Sequence, residues 1–91
     1  MRIDKFLKVS RILKRRTTAK DLASGERVYI NGKIAKPATE VKVGDEVAIV
    51  FGVRHLEIRV LDIKEYTKKE DASSMYEVIR EYREEREETL I

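Results

Sequence analysis

The strongest constraint on the fold is a change of period at Gly25. Before it, apolar side chains recur at helical spacing. Ile3, Phe6 and Leu7 predict a short amphipathic helix over 2–9, and Ala19, Leu22 and Ala23 predict a second. Ser10 to Arg16 reads as an irregular turn between them. Thr17 or Thr18 is expected to accept hydrogen bonds from the free amides where the second helix starts. From Arg27 the period is two. Val28 and Ile30 alternate with Arg27, Tyr29 and Asn31, and Asn31-Gly32 is a strong tight-turn signal. Ile34 continues beyond the turn and Pro37 marks a loop. Val41, Val43 and the Gly44-Asp45 turn lead into VAIVF (47–51), and after Gly52-Val53 the run HLEIRVL (55–61) turns Leu56, Ile58 and Val60 inward. This order predicts an α+β fold: two N-terminal helices packed on a small curved antiparallel sheet of four to five strands.

The tail is expected to return to helix. Thr67-Lys68-Lys69-Glu70 fits a capping box, and Ala72, Met75, Tyr76, Ile79 and Tyr82 follow helical spacing as a docking stripe. REEREE (83–88) then reads as a solvated helix end, with Arg80–Glu84 and Arg83–Glu87 four residues apart. The expected organisation is a domain over 1–62 and a C-terminal helical extension over 63–91.

Ninety-one residues suffice for one domain whose core is small, since such a chain buries roughly 60–65% of its unfolded surface. There is no cysteine, so no disulfide framework and no thiolate metal site, and the single His55 reads as incidental. No apolar run approaches the ~20 residues that cross a bilayer, and charges interrupt any signal-peptide core, which predicts a soluble cytoplasmic protein without a membrane partner. The charged content, 41%, would suit a heat-adapted source. Net charge is +3 but uneven: residues 1–36 carry eleven Lys/Arg against three acids, net +8, whereas 62–91 carry six against ten, net −4. Such asymmetry points to a polyanion partner for the first part and a different task for the last.

Seven of the first sixteen residues are Lys or Arg: Arg2, Lys5, Lys8, Arg11, Lys14, Arg15 and Arg16. If Ile3, Phe6, Leu7, Leu22 and Ala23 pack on the sheet, then Arg2, Lys5, Lys8, Arg15, Arg16 and Lys20 point away from it as one basic face. Phosphate suits such a face, because guanidinium forks match its oxygens and each neutralised phosphate releases counterions. Duplex RNA offers a small basic module its backbone and shape rather than base edges. Asp4, the one acid in this stretch, has two readings: it clamps a neighbouring arginine, or it complements the dipole at a helix start. Tyr29 alternates outward, where stacking on a base competes with ordinary sheet packing. Asp45-Glu46 lies in a turn, no nucleophile–base–orienter set recurs, and no glycine-rich phosphate loop precedes a helix, so catalysis and cofactor binding are not expected.

The run R-I-D-K-F-L, then S-R, then R-R-T-x-A-K-x-L-A-x-G-x-V-x-I-N-G and V-K-V-G-D-E-V, resembles the S-four RNA-binding domain, or αL motif, over residues 1 to about 52. The match falls on Arg2, Asp4, Lys5, Arg16, Thr17, Lys20, Asn31 and Gly32. Through MRIDKFLKVSRILKRRTTAK and TKKEDASSMYEVI the chain more closely resembles the stand-alone RqcP (YabO) family, to about residue 80. That resemblance implies a non-catalytic factor of ribosome-associated quality control. Such a factor binds the obstructed large (50S) ribosomal subunit, contacts its rRNA and a peptidyl-site tRNA, and supports an RqcH (NEMF-family) partner in adding C-terminal alanine tails. It implies RNA contacts from Arg2 and Arg16 first, with Lys5, Lys8, Arg11, Arg15, Thr17 and Lys20 in support, Asp4 orienting them, and action as a monomer. The acidic stretch after Tyr82 departs from the family pattern. Two alternatives stand beside this reading: a recycling factor like the fifteen-kilodalton heat-shock protein, and a detached targeting domain of an RNA-modifying system. A protein-interaction adaptor using the tail is a further class.

Overall fold

The computed structural model describes residues 1–84 in the order α1 (Ile3–Val9), α2 (Arg16–Ser24), β1 (Val28–Ile30), β2 (Lys33–Ile34), β3 (Glu46–Phe51), β4 (Arg54–Val60), a 3-10 helix (Lys69–Met75) and β5 (Tyr76–Arg83). The strands form one sheet in the order β2-β1-β3-β4-β5, and every neighbouring pair is antiparallel. Two N-terminal helices on an antiparallel sheet are the arrangement expected from the change of period, but the fifth strand comes from the tail and not from residues 27–61.

The β1–β2 turn shows why its dipeptide matters. Asn31 (φ 52°) and Gly32 (φ 81°) both adopt left-handed conformations, as a two-residue turn matching strand twist requires. Asn31 also ties the turn to the next strand: its amide donates to the Glu46 carbonyl at 2.8 Å, and its side-chain oxygen accepts from the Glu46 amide at 3.0 Å. Its side-chain nitrogen donates to Asp45 at 3.0 Å, and Asp45 in turn accepts from the Lys42 amide at 2.8 Å. The I-N-G and G-D-E segments, distant in sequence, are therefore one hydrogen-bonded corner.

Ile3, Phe6 and Leu7 of α1 and Ala19 and Ala23 of α2 are buried with Val28, Ile49, Ile58 and Val60 of the sheet. Neither helix has a side-chain N-cap. At α1, carbonyls of the 37–39 loop do that work: the Ile3 amide donates to Thr39 at 2.8 Å and the Asp4 amide to Pro37 at 3.3 Å. At α2, the expected threonine cap does not form. The helix begins at Arg16 with Arg15 as its extended flanking residue, which places Thr17 and Thr18 inside the first turn, both exposed.

The largest departure lies in the tail. Residues 76–83 are not a helix but the edge strand β5, paired along β4 from Tyr76 opposite Val60 to Arg83 opposite Arg54, with a bulge at Glu57/Ile58. Thr67 makes no capping box either; its side chain donates to the Val9 carbonyl at 2.8 Å, and the seven-residue helix that follows is 3-10 with Lys68 as its flank. The physical reason is tertiary. An uncovered β4 edge would leave a row of free N–H and C=O groups. The tail supplies β-branched and aromatic side chains (Tyr76, Val78, Ile79, Tyr82) suited to a pleated strand. Opposite residues also match: Glu77 pairs with Arg59, Arg80 with Glu57, and Tyr82 stacks on His55 with centroids 4.6 Å apart. Such cross-strand pairs contribute about 0.2–1 kcal/mol each, against about 0.2–0.5 for i,i+4 pairs on a helix. Of the acidic run REEREE, only Arg83 and Glu84 belong to the described residues. The expected Arg80–Glu84 helical pair is absent, since Glu84 meets His55 at 3.2 Å.

Candidate nucleic-acid interface

Asp4 is 2% exposed at the first turn of α1, and two guanidiniums close over it. Arg2 grips it with a fork: Nε donates to Oδ1 at 3.2 Å and Nη2 to Oδ2 at 3.1 Å. Arg16, twelve residues on and at the start of α2, donates from Nη2 to Oδ1 at 3.3 Å. The arginine side chains remain 48% and 47% exposed, so each guanidinium keeps N–H donors turned toward solvent. One carboxylate thus fixes two arginines from different helices. Held in place beforehand, they lose less side-chain freedom on meeting a phosphate than free arginines would. Asp4 both lies in the first turn of α1 and accepts hydrogen bonds from two arginines. The partner Arg16 becomes adjacent only through packing of α1 on α2.

From this centre the cationic stripes extend. Arg2 at the flank of α1 and Lys5 and Lys8 on it are spaced by three, and Arg16 and Lys20 on α2 by four, so Lys5 with Lys8 and Arg16 with Lys20 each lie along one helix side. Lys8, Arg15, Thr17 and Lys20 are exposed, and among the described residues no ion pair engages Lys8, Lys14, Arg15 or Lys20. Two of the expected contact residues are held otherwise. Lys5 forms an ion pair with Glu65, which holds the Glu65 carboxyl below its ordinary value, first through the hydrogen bond and then through charge attraction. Arg11, left-handed at φ 62° just past the end of α1, donates to the Thr67 carbonyl at 3.4 Å. Residues 65–67 thus lie against the basic helix, a contact without any local sequence signal because its partners are nearly sixty positions apart. Among the described residues, no group of three or more His, Cys, Asp or Glu is arranged to hold a metal ion, and no helix is long and apolar enough to cross a membrane.

Residues 1–47 match the S4 domain family. Among solved structures, the trimeric structure of Vibrio cholerae heat shock protein 15 superposes with a TM-score of 0.79 at 28% identity, covering 86% of this chain and 80% of that one. Two helices on this sheet, with an arginine–carboxylate cluster between them, define an S4-domain protein. The RQC P-site tRNA stabilizing factor of Streptococcus pneumoniae is 55% identical over 83 residues, 91% of this chain and 94% of the relative. That of Bacillus subtilis is 49% identical over 81 residues, covering 89% and 94%. The chain belongs to the family of RQC P-site tRNA stabilizing factors.

Proposed function

We propose that this protein binds RNA through the α1–α2 face and stabilises a peptidyl-site tRNA on the large ribosomal subunit, without catalysing a reaction. The observation that carries this reading is the Arg2–Asp4–Arg16 cluster, a preset pair of half-exposed guanidiniums flanked by further cations. The relatives' shared name, RQC P-site tRNA stabilizing factor, supplies the setting. A face built from two helices suits a wedge: one phosphate backbone lies along α1, another along α2, and full affinity comes only when rRNA and tRNA are both present. The protein then acts as a monomer in the cytoplasm, holding peptidyl-tRNA while an RqcH-type partner extends the stalled chain.

The test is retention of tRNA on isolated large subunits. Replacing the arginines alone would strand a buried carboxylate, so the informative variant combines Arg2→Gln, Arg16→Gln and Asp4→Asn. Retention is expected to fall to the level without protein, and undiminished retention would contradict the proposal. The likeness to heat shock protein 15 favours a second reading, a ribosome recycling factor acting on the same obstructed subunits. Binding to those subunits with no gain in tRNA retention would support that reading instead.

A further inference from the structure

Tyr66 is 78% exposed, and nothing about the basic wall as described accounts for it. Its exposure is not that of a loose loop. On one side Glu65 is tied to Lys5; on the other Thr67 donates to the Val9 carbonyl at 2.8 Å and accepts from Arg11 at 3.4 Å. Tyr66 is thereby flanked by a side-chain ion pair to α1 on one side and by a residue hydrogen-bonded to the end of α1 and the turn after it on the other. With Lys8, Val9, Arg11, Glu65 and Thr67, Tyr66 lines a surface cleft of about 280 Å³. Two of these residues are cations, and the one acid, Glu65, is already neutralised locally by Lys5.

The geometry points to Tyr66 as a stacking platform for one unpaired nucleobase, with Lys8 and Arg11 receiving the adjoining phosphates. This rests on the RNA-binding reading and adds a substrate feature to it: the preferred ligand is structured RNA carrying an unstacked nucleotide, not a continuous duplex. A ring with a free face beside cations is the combination that single-stranded RNA uses, since every base offers a π-face and its phosphate seeks a cation.

The test uses two RNA hairpins, one fully paired and one with a single bulged nucleotide, at low salt where phosphate contacts alone retain any RNA. The intact chain is expected to bind the bulged hairpin more tightly. Tyr66→Ala is expected to weaken that complex by roughly ten-fold while leaving the paired hairpin unchanged, and Tyr66→Phe to retain the preference, because stacking needs the ring and not the hydroxyl. The chain contains no tryptophan, so Tyr66→Trp introduces a lone indole whose fluorescence is expected to be quenched by the bulged hairpin only. Equal binding of both hairpins by the intact chain and Tyr66→Ala would overturn the platform while leaving the arginine face standing. Failure of the intact chain to bind either hairpin would overturn both. Unaltered RNA binding with loss of a protein partner on Tyr66→Ala would reassign the ring to a protein contact and likewise overturn the proposal.

Discussion

At Asp4 one buried carboxylate faces two half-exposed guanidiniums, and this imbalance of burial orders the effects of substitution. Asp4→Ala leaves both arginines able to turn to water, so its expected cost is about 1–2 kcal/mol. Arg2→Ala with Arg16→Ala leaves the carboxylate without a cation, and its expected cost is about 3–5 kcal/mol. Urea unfolding of both variants checks the order; a costlier Asp4→Ala would contradict it. Glu65 makes a smaller contribution with a definite sign. Its carboxyl is held below the ordinary value of 4.5 in the folded chain. The stability it adds is thus complete above that value and is lost as pH falls through the lowered one. Glu65→Gln is therefore expected to lower stability slightly at neutral pH and to flatten the acid limb of the stability–pH curve, the two proteins converging at low pH. Local spacing made the Arg2–Asp4 contact legible, since the two are two residues apart. Arg16 was legible as a basic residue but not as Asp4's second partner, because only packing of α2 against α1 brings it there.

Among the elements, β5 shows where periodicity misleads. Tyr76, Ile79 and Tyr82 are three apart, which suits a helix, yet Tyr76, Val78, Arg80 and Tyr82 also alternate as a strand. No local feature arbitrates between these patterns; the open edge of β4, remote in sequence, does. By contrast, the hairpin at Asn31-Gly32 was legible because its turn chemistry is local; α2 does stop at Gly25, but Gly25 keeps φ −83° and it is Glu26, at φ 62°, that takes the left-handed conformation expected of the glycine. Anchorage of the tail comes down to Met75, fully buried at the junction of the 3-10 turn and β5, whose carbonyl accepts from the Leu61 amide at 2.8 Å. Met75→Ala is expected to destabilise by about 2–5 kcal/mol. Val78→Thr, on a 54% exposed position of the same strand, is expected to shift stability by less than about 0.5 kcal/mol. Thermal unfolding of the pair checks that the strand is held by its inner end rather than along its length.

Across the whole molecule, charge is sorted by task. The N-terminal 36 residues carry net +8, and among the described residues no ion pair engages Lys8 or Lys20 of their helices. On the β3–β4–β5 ribbon, opposite charges neutralise one another instead: Arg59 with Glu46 and Glu77, Arg54 with Glu81, and Arg80 with Glu57. A net charge of only +3 thus conceals a molecule with one strongly cationic wall. That sorting was visible in the sequence as asymmetry, although two of the tail's acids, Glu77 and Glu81, serve strand pairing rather than a helix. The central claim is that Arg2 and Arg16, held by Asp4, grip phosphates. Its most direct test is the salt dependence of affinity for large subunits carrying tRNA, measured for the intact chain and for the triple variant Arg2→Gln, Asp4→Asn, Arg16→Gln. The logarithmic slope is expected to flatten by roughly 1.4–1.8, the release accompanying about two phosphate contacts. Parallel slopes for the two proteins would contradict the claim.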